Sequence, residues 1–158
     1  MKKMQIHLLS QAIQTGKTTS LLQYVQTHSN CSGILTPVIN NQRFFYSIAS
    51  GESRLMEAEP TEQNCLHIGR YSFSKAAFDW AIAQCENVLK SRQELFIIDE
   101  IGPLELRNEG FYTLLMQVLA NQYAIEKLLL VVRSSAVELV FQHFKIDPSN
   151  VQLWKNKQ

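Results

Sequence analysis

Between an apolar run, Met4 to Leu9, and an amphipathic stretch that begins near Lys17, the chain carries Gly16-Lys17-Thr18-Thr19. A strand, a glycine-lysine loop and a helix in that order narrow the fold sharply. Where a helix follows a strand, the N–H groups of its first turn point outward at the positive end of the helix dipole and form a seat for phosphate. The helix is expected from about Lys17 to His28, with Leu21, Leu22 and Val25 on one face. Taken alone, the four residues also read as an ordinary threonine-rich helix start. A loop of the form G-x-x-x-x-G-K-[ST] has its first glycine five residues before the second. Gln11 stands there instead.

With 158 residues, 46% of them hydrophobic, the chain is long enough for one sizeable core and short for two, so a single domain over residues 1–158 is expected. Lys and Arg number 15 against 14 Asp and Glu. That balance gives no global attraction to nucleic acid, membrane surfaces or acidic partners. No stretch approaches the roughly 18 consecutive apolar residues of a spanning helix, and MKKMQIHLL reads as a first strand rather than a leader. Cys31, Cys65 and Cys85 are odd in number and far apart, without a C-x-x-C or a companion histidine. They read as reduced thiols of a cytoplasmic protein.

Along the chain, GILTPVI is a second strand in which Pro37 marks an edge or a frayed end. RFFYSIASGESRLME folds into an antiparallel hairpin around Ser50-Gly51, and EPTEQN is a loop. Phe78, Ala81, Ile82, Cys85, Val88 and Leu89 recur at helical spacing between Ser74, the expected N-cap, and Arg92. ELFIIDE is a short buried strand. A helix beginning near Asn108 carries Phe111, Leu114, Leu115, Val118 and Leu119, and KLLLVVR is the next strand. Val137, Val140, Phe141 and Phe144 mark a last helix, and NVQLW a closing strand. Apolar strands alternating with amphipathic helices predict an α/β fold: a mostly parallel sheet, helices on both faces and an antiparallel hairpin addition.

The chemistry gathers in two places. Gln14, Thr15, Gly16, Lys17, Thr18 and Thr19 are the candidate nucleotide-binding residues, through the backbone N–H groups of Thr15 to Thr19 and the Gln14 amide. Lys17 can reach the β- and γ-phosphates, and the Thr18 hydroxyl can ligate Mg²⁺. Asp99 and Glu100 follow four apolar residues, Leu95 to Ile98, and so emerge at the carboxyl edge of the sheet, where open α/β folds bind ligands. There an Asp can hold Mg²⁺, and the adjacent Glu can orient or deprotonate an attacking water. The plainer reading is two solvated acids before the turn at Gly102-Pro103. Their occurrence downstream of a strand-GKT-helix favours the nucleotide site.

DEIGPLEL, Asp99 to Leu106, resembles the extended second motif of the cancer-related nucleoside-triphosphatase family, small P-loop proteins with a RecA-like core. SGILTPVI, the IASGE hairpin, HIGRYSFSKAAFDWA and VVRSSAVELV occur in that family's order. The resemblance implies Mg²⁺-dependent hydrolysis of ATP- and GTP-type nucleotides to diphosphate and phosphate, by a core that completes its site in trans as an oligomer or works alone. It gives Lys17 the phosphate role, Thr18 and Asp99 the metal, and Glu100 the role of base. Glu105 falls on the family's second acid without an assigned role. Arg70 and Arg133 fall on basic positions, and either can act as a transition-state arginine or be a solvated surface residue. Arg133 joins Lys17 and Glu100 as the candidate catalytic set. The loop departs from the pattern, with Gln11 and Gln14 at glycine positions and Ile13 at a frequent proline. Where such a position needs positive φ, glutamine costs on the order of 1–3 kcal/mol; alternatively, its amide binds phosphate oxygens.

Two rival functions follow. A nucleotide-binding module or switch with little turnover would fit the altered loop. A small-molecule or nucleotide kinase would need an arginine-rich lid, and no arginine cluster is present. Nucleic acid has little support: Phe44, Phe45 and Tyr46 alternate faces in a strand and read as core and hairpin packing. Tyr71 and Phe73, near Arg70, are the remaining candidates for stacking on a base. His7 reads as a strand residue inside the sheet.

Overall fold

The computed structural model describes residues 3–11 and 17–155, with the side chains of residues 11, 17 and 18 outside the description. Strand β1 (Gln5–Gln11) leads to α1 (Lys17–Thr27), and β2 (Cys31–Leu35) follows. Three short strands come next, β3 (Val38–Ile39), β4 (Gln42–Ser47) and β5 (Ser53–Leu55), then a separate hairpin of β6 (Cys65–Ile68) and β7 (Tyr71–Ser74). The path continues through α2 (Lys75–Val88), β8 (Gln93–Ile101), α3 (Pro103–Leu106), α4 (Tyr112–Leu119) and β9 (Ile125–Arg133), and ends with α5 (Val137–Phe144) and β10 (Val151–Leu153).

The main sheet has the order β10-β1-β9-β8-β2-β4-β3, with β5 paired to β4. From β10 to β2 all neighbours are parallel, and β4 joins β2 antiparallel. Side chains alternate across the central strands, so the two faces bury different sets. Phe96 and Ile98 of β8, with Leu128, Leu130 and Val132 of β9, pack with residues of α2, α4 and α5. Leu95, Ile97, Leu129 and Val131 pack with Leu21 of α1. Phe45 of β4 stands between Phe78 and Phe111, with ring centroids 4.8 and 5.7 Å away, and is core, as its alternation implies.

Several boundaries differ from the sequence pattern. The helix expected from Asn108 starts at Tyr112, because Asn108 and Gly110 both take positive φ and end the separate short helix α3. Ser74 caps α2, its hydroxyl accepting from Ala77 N at 3.1 Å, but the helix stops at Val88 and β8 begins at Gln93. HIGRYSFS forms the β6–β7 hairpin, with Gly69 in its turn at φ 57°.

Gly33 sets how closely β2 approaches β8. Its φ is 113°, and a Cβ there would lie 2.0 Å from the Ile97 carbonyl oxygen. Both the left-handed backbone and the overlap oppose a side chain. Gly33→Ala is therefore expected to cost about 3 kcal/mol or more, read as a lowered midpoint in urea denaturation. An unchanged midpoint would mean that β2 does not sit this close.

Candidate active site

The carboxyl ends of the parallel strands share one edge, and the chemistry collects there. Strand β1 ends at Gln11, in register with Arg133 of β9, and α1 begins at Lys17. Gln11 lies within the ladder, so its backbone is extended and glutamine carries no left-handed strain. Lys17, Thr18 and Thr19 form the first turn of α1, which contains no acid to compete with a bound anion. The candidates Gln14, Thr15 and Gly16 lie outside the described residues.

Strand β9 lies between β1 and β8, so it carries Arg133 between the phosphate-loop strand and the acidic strand. Asp99 stands opposite Val131 on β9. It continues the alternation of Leu95 and Ile97, whose side chains pack with α1. It is 1% exposed, and its Oδ2 accepts from Thr36 N at 3.2 Å. Thr36 is a site residue that the sequence pattern did not reveal, since nothing local pairs positions 36 and 99.

After Asp99 the β8–β9 register shifts, and Ile101 returns to the core opposite Val132. The extra residue in this bulge is Glu100, half-buried, and the Asp99–Glu100 peptide is cis. A bulge re-aims one side chain while its neighbours keep their faces. Arg133 Nη2 lies 3.6 Å from Glu100 Oε1, with the arginine side chain 38% exposed. Of the two arginines, the structure thus brings Arg133 to the acidic pair. Arg70 sits at the tip of the β6–β7 hairpin, its guanidinium 5.3 Å from the Tyr71 ring centre and its Nη2 donating to the Tyr71 hydroxyl at 3.3 Å. Tyr71 is exposed and Phe73 buried, their rings near-parallel with centroids 6.4 Å apart.

Among the described residues no group of three His, Cys, Asp or Glu side chains could hold a metal. Mg²⁺ in phosphate sites takes one or two protein oxygens and leaves the rest of its shell to phosphate and water. A buried Asp99 carboxylate, emerging on the face that α1 covers, suits that demand.

Glu105 is a third acid at this edge, 3% exposed. Its Oε1 accepts from Gly102 N at 2.8 Å and its Oε2 from Phe111 N at 2.9 Å, tying the start of α3 to the start of α4. Gly110 must be glycine beside it, since a Cβ there would lie 2.3 Å from Glu105 Oε2. Burial pushes Glu105 up to about 7 against the pull of these N–H donors, with the Glu100 charge adding to the rise.

A family model described as NTPase matches residues 7–155. The chain belongs to this family. The NTPase fold is also that of a crystal structure of THEP1 from the hyperthermophile Aquifex aeolicus, 20% identical, with a TM-score of 0.72 over 95% of this chain and 88% of that one. It is likewise the fold of a solution structure of a human cancer-related nucleoside triphosphatase, 17% identical, with a TM-score of 0.66 over 98% of this chain and 89% of that one. No curated protein matches the chain at a significant level. The NTPase family implies a nucleotide substrate, and no helix among the described residues is long and apolar enough to cross a membrane.

The Glu105 carboxyl makes stability depend on pH. Between its ordinary value of 4.5 and about 7 the folded NTPase keeps a proton that the unfolded chain has released. The group's contribution is thus fully present below 4.5 and is lost as pH rises through 7. From pH 5 to pH 8 the wild type is expected to lose up to roughly 3 kcal/mol relative to Glu105→Gln. Denaturant titrations of both proteins at the two pH values check this, and parallel pH profiles would sink it.

Proposed function

We propose that the protein is an Mg²⁺-dependent nucleoside triphosphatase that hydrolyses ATP- or GTP-type nucleotides to diphosphate and phosphate. The observation that carries this reading is the position of Arg133. It ends the strand between β1 and β8, level with Gln11 and 3.6 Å from Glu100. A phosphate chain seated at the start of α1 then has a fixed positive charge and a carboxylate base beside its terminal group.

In this mechanism the N–H groups of residues 15–19, the Gln14 amide and Lys17 hold the phosphate chain. Thr18 and Asp99 would hold Mg²⁺, which when bound neutralises charge on the β- and γ-phosphate oxygens. Glu100 orients a water and takes its proton as the water oxygen bonds to the γ-phosphorus, and the bond to the β–γ bridging oxygen breaks. In the resting chain Arg133 pairs with Glu100. When a triphosphate arrives, the guanidinium has γ-phosphate oxygens as competing partners, which releases the carboxylate for the water. The ladder position of Gln11, opposite Arg133, is compatible with this reading.

Phosphate release from ATP and GTP with Mg²⁺, measured beside nucleotide binding, tests the proposal. Glu100→Gln is expected to lower turnover by about 10²-fold or more while retaining binding. Arg133→Ala should lower kcat far more than it weakens nucleotide affinity, and Lys17→Ala should remove binding itself. Tight binding without release by the wild type would replace the enzyme with a binding module.

A further inference from the structure

We infer that Arg43 is a positioning residue for the metal-binding carboxylate: it holds Thr36, and the Thr36 N–H fixes Asp99. The inference rests on the triphosphatase reading above. Thr36 lies just past the end of β2, 3% exposed, at the point where the sheet register with β8 has ended at Ile34–Ile98. Its N–H donates to Asp99 Oδ2 at 3.2 Å. Pro37 follows and keeps Thr36 extended.

The direction of this turn is set from β4. Arg43 Nη1 donates to the Thr36 carbonyl oxygen at 3.3 Å and lies 3.5 Å from its hydroxyl. Phe44 N donates to the Pro37 carbonyl oxygen at 2.9 Å. Arg43 is itself anchored, since its carbonyl accepts from Met56 N at 2.9 Å. Among the described residues this half-buried guanidinium makes no ion pair with an acid. Its described hydrogen bonds all go to Thr36. Both contacts are made by the one nitrogen Nη1, so a lysine keeps a donor on a shorter side chain, whereas a glutamine does not reach as far and carries no charge.

Loss of the clamp frees the Thr36 turn, and the N–H that orients Asp99 drifts with it. Partners of this outer kind are worth about 10- to 100-fold in metal affinity where they have been removed from other sites. The effect belongs to the metal-dependent part of nucleotide binding, because Arg43 acts through Asp99 and not on the phosphates.

The test is the affinity of the full chain for a fluorescent ATP analogue with Mg²⁺ and with EDTA, for the wild type, Arg43→Gln and Arg43→Lys, beside hydrolysis by each. Arg43→Gln is expected to lose about tenfold of the Mg²⁺-dependent gain in affinity, to keep the EDTA affinity within about twofold, and to need more Mg²⁺ for half-maximal turnover, and Arg43→Lys, which keeps a donor, to change in the same direction by less. Should Arg43→Gln fail to fold, Arg43→Lys carries the same comparison. An unchanged Mg²⁺ gain in folded variants overturns the inference and leaves the triphosphatase intact. An equal loss with EDTA overturns it too, because Arg43 would then touch the nucleotide. A wild type without any Mg²⁺ gain removes both the metal reading and this inference.

Discussion

A carboxylate buried at the end of an apolar strand is the constraint on which the rest of this site depends. A polar side chain taken out of water needs hydrogen-bond partners, so the surroundings must supply them. Asp99 meets that demand because β8 is central: β9 runs beside it on one side and β2 on the other. Parallel neighbours bring their carboxyl ends to the same edge. Gln11, Arg133, Asp99 and Thr36 therefore arrive together by topology, although they are scattered over the chain. The bulge at Glu100 adds the one adjustment that alternation alone does not supply, turning the second acid toward Arg133 while Ile101 stays in the core.

The last acid of the DEIGPLEL segment has a different part. Glu105 does not sit in the Glu100–Arg133 pair; its two oxygens are taken by the N–H groups of Gly102 and Phe111. It holds the chain that leaves β8, and Gly110 is the residue that makes room for it. The spacing of the two acids is then set by two requirements, a reactive carboxylate at the bulge and a buried one that fixes the following turn. The antiparallel strands β3 to β5 stand in a similar relation to the other side of Asp99, since they grip the Thr36–Pro37 turn from β4.

Much of this was legible in the sequence because it rests on local pattern. Runs such as LFII and LLLVV can only be buried strands, Ser74 and the spacing of Phe78, Ala81 and Cys85 predict α2, and Asp99 and Glu100 end a strand whatever its neighbours are. The breaks at Asn108 and Gly110 were not legible, because periodicity continues through residues whose backbone is set by the Glu105 seat. The partnership of Thr36 with Asp99 and the place of β9 between β1 and β8 depend on pairing across distant segments, which no window of sequence contains. Arg70 and Arg133 were equivalent on the page of the sequence, and strand order alone separates them.

The two faces of the sheet are unequally loaded, and this bears on how the site can respond to a ligand. On one face α2, α4 and α5 share a large cluster that includes Phe45, Phe78 and Phe111. On the other, α1 rests on a small set around Leu21, Leu35 and Leu129. Its far end is held by aromatic contacts: Tyr24 stacks on His28 at 3.8 Å and meets Trp154 edge-on at 5.2 Å, and Trp154 N donates to the Leu8 carbonyl at 2.8 Å. The helix is thus fixed at its C-terminal end by the segment after β10, while its N-terminal turn is the part offered to phosphate. Among the described residues the buried apolar cluster on this face is the smaller of the two, and burial is the main stabilising term. A ligand that binds the first turn of α1 and the end of β8 together therefore adds its binding energy where the native packing supplies least. The stability of the fold and the order of the site are carried by opposite faces of one sheet, joined through β8 and β9.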